Sequence, residues 1–193
     1  MLVGLVLAVA SVLDTGLGAY QSTKPSVVEQ LAHRSVDKIA DHLTFAGLGT
    51  IGFEPESDPD GSIVTYRTCL GSTGGTKSFG ELNYLEWRPE TEDPSDGIDN
   101  DGDGAVDEGM VVLRLDAGLP EQQTIVIARG VARHLEGEVG NGADDNGNGV
   151  ADEKGFWVEI RDRSLRIHLT LVRQDQSGER LLKSARIVVG LRN

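Results

Sequence analysis

Along the chain the apolar positions follow three different patterns. Residues 1–13 form an uninterrupted apolar run with no charge before Asp14. From Ser26 the period changes to three and four: Val28, Ala32, Val36, Ile39, Ala40 and Leu43 share one face, which predicts an amphipathic helix over residues 26–46. Ser26 and Glu29 form a capping box at its start, and Gly47, reinforced by Gly49, is the expected C-terminal stop. Beyond Gly47 the period falls to two. Strands are expected at 62–67, 81–87, 110–115, 124–131, 156–160, 165–173 and 185–192. The clearest is the last but one, where Leu165, Ile167, Leu169 and Leu171 alternate with polar residues and His168 is expected to face solvent. Turns at Asp162-Arg-Ser and Asp175-Gln-Ser-Gly suit antiparallel hairpins.

These elements predict an α+β fold, a helix on one face of an antiparallel β-sheet. The expected division is 1–25, a hydrophobic N-terminal helix truncated at its start, and 26–193, a globular head. As a helix the run 1–13 is about 20 Å long, short of the ~20 residues that cross a bilayer. Three readings of it remain open. It is a secretory signal, for which Ala8-Val9-Ala10 offers a cleavage site but no basic residue precedes the apolar run. It is an anchor whose Gly4 and Ala8 let helices approach closely. Or Met1 is an internal start, with the missing length upstream.

Charge changes the picture. The net charge is −13, but residues 89–109 hold nine acidic and no basic residues, and residues 135–153 hold six more with none basic. Removing those fifteen from the 31 acidic residues leaves 16 against 18 basic, or about +2. The acidity is therefore local. Nucleic acid is excluded as a partner, since phosphates need a basic face.

The two windows contain an internal repeat. Asp96-Gly-Ile-Asp-Asn-Asp-Gly-Asp-Gly-Ala-Val-Asp-Glu108 aligns without gaps to Asn141-Gly-Ala-Asp-Asp-Asn-Gly-Asn-Gly-Val-Ala-Asp-Glu153, at an offset of 45 residues. Both place oxygen side chains at alternate positions and glycine at the sixth. A hard divalent cation such as Ca²⁺ takes 6–8 oxygen ligands, and a tightly curled loop aims positions 1, 3 and 5 inward while position 7 offers its carbonyl. The candidate ligands are Asp96, Asp99, Asp101, Asp103, Ala105, Asp107 and Glu108 in a loop at 96–109. In a second loop at 141–155 they are Asp144, Asn146, Asn148, Val150, Asp152 and Glu153. Two calcium ions are expected, the first bound more tightly because the second loop replaces two Asp by Asn. Position 12, where an EF-hand has a bidentate Glu, is Met110 in one loop and Gly155 in the other, so positions 9 and 10 or Asp96 must close the sphere. The pattern resembles the calcium loops of thrombospondin type 3 repeats and dockerins.

Catalytic signals are few. His33, His42, His134 and His168 lack metal-ligand spacing, and no G-x-S-x-G, H-E-x-x-H or P-loop pattern occurs. Cys69, the single cysteine, has no histidine close in sequence and reads as a small half-buried residue. The chain is expected not to be an enzyme.

The order of parts, with the helix phrase Ser35-Val-Asp-Lys-Ile-Ala-Asp-His-Leu-Thr-Phe-Ala-Gly47 and the closing Val188-Val-Gly-Leu-Arg-Asn193, resembles the type IV pilin-like family. More narrowly it resembles minor pilins and the J-type minor pseudopilins of type II secretion. The family's basic leader and Gly-Phe-Thr-Leu-x-Glu signature are absent from the sequence. The resemblance implies a structural subunit whose long N-terminal helix, packed on the antiparallel β-sheet head, is a membrane or filament stem through which it contacts other pilin-like subunits. It also implies residence in the bacterial inner membrane before assembly, with the head in the periplasm, or in an extracellular filament. The alternative is a secreted calcium-binding adhesion module with a degenerate signal peptide.

Overall fold

A computed structural model describes residues 26–53, 63–94, 96, 98–102, 105–147, 149, 151–174 and 177–191. The apolar run at 1–13, and all of the expected hydrophobic helix at 1–25, lie outside the described residues.

Among the described residues one α-helix, α1 (Val27–Thr44), is followed by a short 3-10 turn and eight strands: β1 (Gly52–Phe53), β2 (Ile63–Thr73), β3 (Thr76–Pro89), β4 (Gly109–Leu115), β5 (Gln123–Val131), β6 (Phe156–Arg161), β7 (Ser164–Gln174) and β8 (Arg180–Gly190). All strand pairs are antiparallel, in the order β1-β2-β3-β4-β5-β7-β6, with β8 on the other side of β7. The expected α+β architecture, a long N-terminal stem helix packed on an antiparallel β-sheet head, is thereby corrected. The described residues are mostly β, an antiparallel half-barrel packed on one 18-residue helix. No helix among the described residues is long and apolar enough to cross a membrane.

The physical reason is that hairpin pairing carries further than the hydrophobic pattern. Thr73 pairs with Thr76 across Gly74-Gly75, both at positive φ, so the β2–β3 ladder runs on through exposed residues with no buried face to mark them. Register shifts in β2 and between β4 and β5 add local twist, which curves the sheet around α1.

The helix begins as expected, with the Ser26 hydroxyl accepting the Glu29 amide at 3.1 Å. Its apolar face, Val28, Ala32, Val36, Ile39, Ala40 and Leu43, is buried against a core that includes Leu165, Ile167, Leu169 and Leu171. Gly47 does not close the helix in a left-handed conformation; its φ is −71°. It lies instead under the Phe79 ring, where a Cβ would collide. The second difference is His168, which is half-buried and stacked on Trp157 with ring centroids 3.9 Å apart, because β6 and β8 flank it on both sides.

Candidate cation loops

Both acidic segments are closed at their base by an antiparallel pair, the first within a β3–β4 hairpin and the second by an isolated bridge between strands that each pair with β7. Residues 90–108 join β3 to β4 above the pair Pro89–Gly109, and residues 135–153 lead from β5 to β6 above the bridge His134–Lys154. These closing pairs are themselves 45 residues apart. Directly above them, the Glu90 amide donates to the Glu108 carbonyl and the Leu135 amide to that of Glu153. The Asp93 amide then donates to the Glu90 carbonyl, as the Glu138 amide does to Leu135.

The same frame continues inside the loops. The carboxylate at position 1 accepts the amide of the position-4 glycine in both: Gly102 to Asp99 Oδ1 and Gly147 to Asp144 Oδ1, each at 2.7 Å. Those glycines have φ of 76° and 74°, a left-handed conformation in which a side chain would be strained. Asp96 and Asn141 accept the amides of Ile98 and Ala143 two residues on, and Asp107 and Asp152 share φ near 54°. The repeat visible over 13 residues of sequence is thus a 19-residue structural repeat.

The additional residues are Asp93 and Glu138, which sequence reasoning missed. Both are buried acids at the same offset. Glu138 Oε1 accepts the Asn146 amide at 2.9 Å and Oε2 the Asp152 amide at 3.0 Å, stapling the two arms of its loop. Asp93 Oδ1 accepts the Asn100 amide at 2.9 Å. Burial opposes ionisation of Asp93, but amides of Asn100, Glu108 and Asp107 and the adjoining Glu108 side chain outweigh it and hold the carboxyl below its ordinary value. The available signal was the acidic pair three residues ahead of the repeat.

Of the expected ligands, Ala105 and Glu108 are buried, Asp99, Asp107, Asp152 and Glu153 are half-buried, and Asp96, Asp101, Asp144 and Asn146 are exposed. Asp103, Asn148 and Val150 lie outside the described residues. Ala105 packs with Ala132, Val172 and Leu182, so the residue expected to lend its carbonyl also anchors the first loop to the sheet. Asp152 is turned to the start of its own loop, accepting the amides of Asn141 and Gly142. Those two bonds, with smaller help from His134 and Lys154, lower its pKa against the opposing effect of burial. Among the described residues no three His, Cys, Asp or Glu side chains converge as a metal cage. The donors are nonetheless all oxygen, and Asp93 Oδ2 is buried with no hydrogen-bond partner, which suits a hard cation.

Position 12 has a steric explanation. A Cβ at Gly155 would collide with the Ala132 carbonyl, so no glutamate fits there; Met110 is already paired within the sheet.

The two loops lie side by side. Trp87 Nε1, at the end of β3, donates to the Val131 carbonyl at the end of β5. Glu90 at the base of the first loop accepts the Gly130 amide and pairs with Arg129 at 2.8 Å. Arg133, on the stem of the second loop, sits 3.9 Å from the Asp107 carboxylate of the first. Between them is a cleft of about 550 Å³ lined by Val106 and Asp107 from one loop and Glu138, Val139 and Asp152 from the other.

Compared with protein-family models, with characterised proteins and with solved structures, the chain matches none.

Proposed function

We propose that this is a non-enzymatic structural protein in which the two loops each hold a calcium ion that stiffens one end of the sheet. The observation that carries the reading is the hydrogen-bond frame repeated at an offset of 45 residues around two sets of oxygen donors. Asp99, Asp101, Asp107 and Glu108, with Asp103 and the Ala105 carbonyl, are the candidate ligands of one ion. Asp144, Asn146, Asp152 and Glu153, with Asn148 and the Val150 carbonyl, are those of the other. Bound calcium supplies the positive charge that clustered carboxylates require to stay close.

Assembly as a minor pilin or pseudopilin subunit is supported by the phrases at 35–47 and 188–193, read with the apolar run that precedes them. The preponderance of strands favours the second reading, a secreted calcium-binding adhesion module.

The test is thermal melting of the full chain with calcium and with excess chelator. Each site occupied at ~100 times its Kd adds about 2.7 kcal/mol. Two sites add about 5 kcal/mol, a rise of roughly 10–20 °C for a chain this size. An unchanged Tm overturns the calcium reading. Cell fractionation separates the two assemblies: recovery in membranes or sheared filaments with pilin-like subunits supports the first, and a free secreted monomer supports the second.

A further inference from the structure

We propose that Asp93 is itself a ligand of the ion in the first loop, making that the tighter site, and that its counterpart Glu138 is not a ligand in the second. The inference rests on reading the loops as calcium sites.

Asp93 is wholly buried, at 0% exposure, at the base of the first loop. One of its oxygens is used by the Asn100 amide, while Oδ2 has neither solvent nor a hydrogen-bond partner. An ionised oxygen left bare in the interior is expensive, so native structures normally give it a partner. Beside it lies the Glu108 side chain, itself only 1% exposed. Two carboxylates pressed together away from water repel strongly unless a proton or a cation lies between them. A cation lying between the two side chains would engage the bare Asp93 Oδ2 and the buried Glu108 carboxylate together.

In the second loop the extra methylene of Glu138 changes the outcome. Its two oxygens reach the Asn146 and Asp152 amides, one on each arm, so both are already engaged. The same position is therefore an ion ligand in one loop and a backbone staple in the other.

The experiment titrates calcium calorimetrically into the chelator-treated full chain and its D93N and D101N variants, with melts of each with and without calcium. Asp93→Asn keeps an oxygen acceptor for the Asn100 amide and removes the charge. Its expected effect is a loss of about 10–100-fold in affinity at the tighter site alone, the range seen when a group supporting a metal is removed. Its calcium-free Tm should be unchanged or higher, because one of two opposed carboxylates is gone. If D93N leaves the tight site intact while D101N weakens it, Asp93 is not a ligand and the calcium reading stands. If D93N lowers Tm equally with and without calcium, Asp93 is a backbone staple only and the inference falls. If the unsubstituted chain takes up no calcium, the reading beneath it falls as well.

Discussion

Replacing Glu138 by alanine isolates what holds the second loop together before any ion arrives. The Glu138 carboxylate is 7% exposed and accepts two amides, Asn146 at 2.9 Å and Asp152 at 3.0 Å, from opposite arms of a 19-residue excursion. Hydrogen bonds to a charged acceptor contribute roughly 1.5–3 kcal/mol each, so removing both puts ~3–6 kcal/mol at stake. The other loop contacts of these arms are exposed, and water enters the space left by the side chain, which brings the expected net loss to about 3 kcal/mol. The loop is closed below by the His134–Lys154 bridge and by the Leu135 amide on the Glu153 carbonyl, so most of this loss is local rather than global. Hydrogen exchange in calcium-free buffer reads it directly. The Asn146 and Asp152 amides of E138A should exchange about 100-fold faster, while amides of β7 keep their protection. Unchanged exchange at both amides would mean that the staple is not formed in solution, and the shared frame of the two loops would lose its central support.

Two further perturbations probe the stem and the outer sheet. Gly155→Ala should destabilise by roughly 2–4 kcal/mol, because the added Cβ meets the Ala132 backbone carbonyl, which has no room to yield; a denaturant midpoint within error of the unsubstituted chain refutes the steric account. His168 has its pKa lowered from 6.5 to about 4, chiefly by burial and then by the nearby Arg186, with Arg166 adding to the effect and Glu159 opposing it. A depressed histidine leaves stability untouched above pH 6.5, where both folded and unfolded chains hold it neutral. The unfolded chain takes up the proton first as pH falls, so stability drops between about 6.5 and 4. Allowing for its partial exposure, the expected loss from pH 7 to pH 5 is about 1–2 kcal/mol, absent in His168→Gln. Equal pH slopes for the two proteins would show that burial and Arg186 do not hold the imidazole neutral.

What could be read from the sequence was what a local period or a local cap records. All seven expected strands are present, and the Leu165–Leu171 alternation and the Ser26 cap are found where their spacing puts them. The long arm at Thr76–Gly80 carries no alternation because both of its faces are wet, so only the hairpin register reveals it. His168 alternates with core residues and was therefore assigned to solvent. Its actual environment depends on Trp157 and Arg186, which are its cross-strand neighbours on β6 and β8. Asp93 and Glu138 were hidden for a related reason. A lone acid ahead of a turn has no period, and only the amides that close on it from eight and fourteen residues away, as at Glu138, show its part.

The placement of the loops explains why a duplicated 19-residue segment is tolerated here. The first is inserted where β3 and β4 already pair and the second above the His134–Lys154 bridge, so the chain ends each must join are held together whether or not the loop is ordered. Ordering the loop is a separate matter. The first loop buries a single apolar side chain, Ala105, in the small cluster with Ala132 and Val172, far less than the entropy of fixing so many residues demands. The remaining order comes from carboxylates that accept amides, and the more of these a loop contains, the more strongly they repel one another. Amide staples and like-charge repulsion therefore rise together with each added acid. A cation is the one partner that turns the second into attraction without displacing the first. On that argument the ion should matter most in the first loop, which carries nine acidic residues between positions 89 and 109 against six in the second, and where Asp93 Oδ2 has no amide to accept.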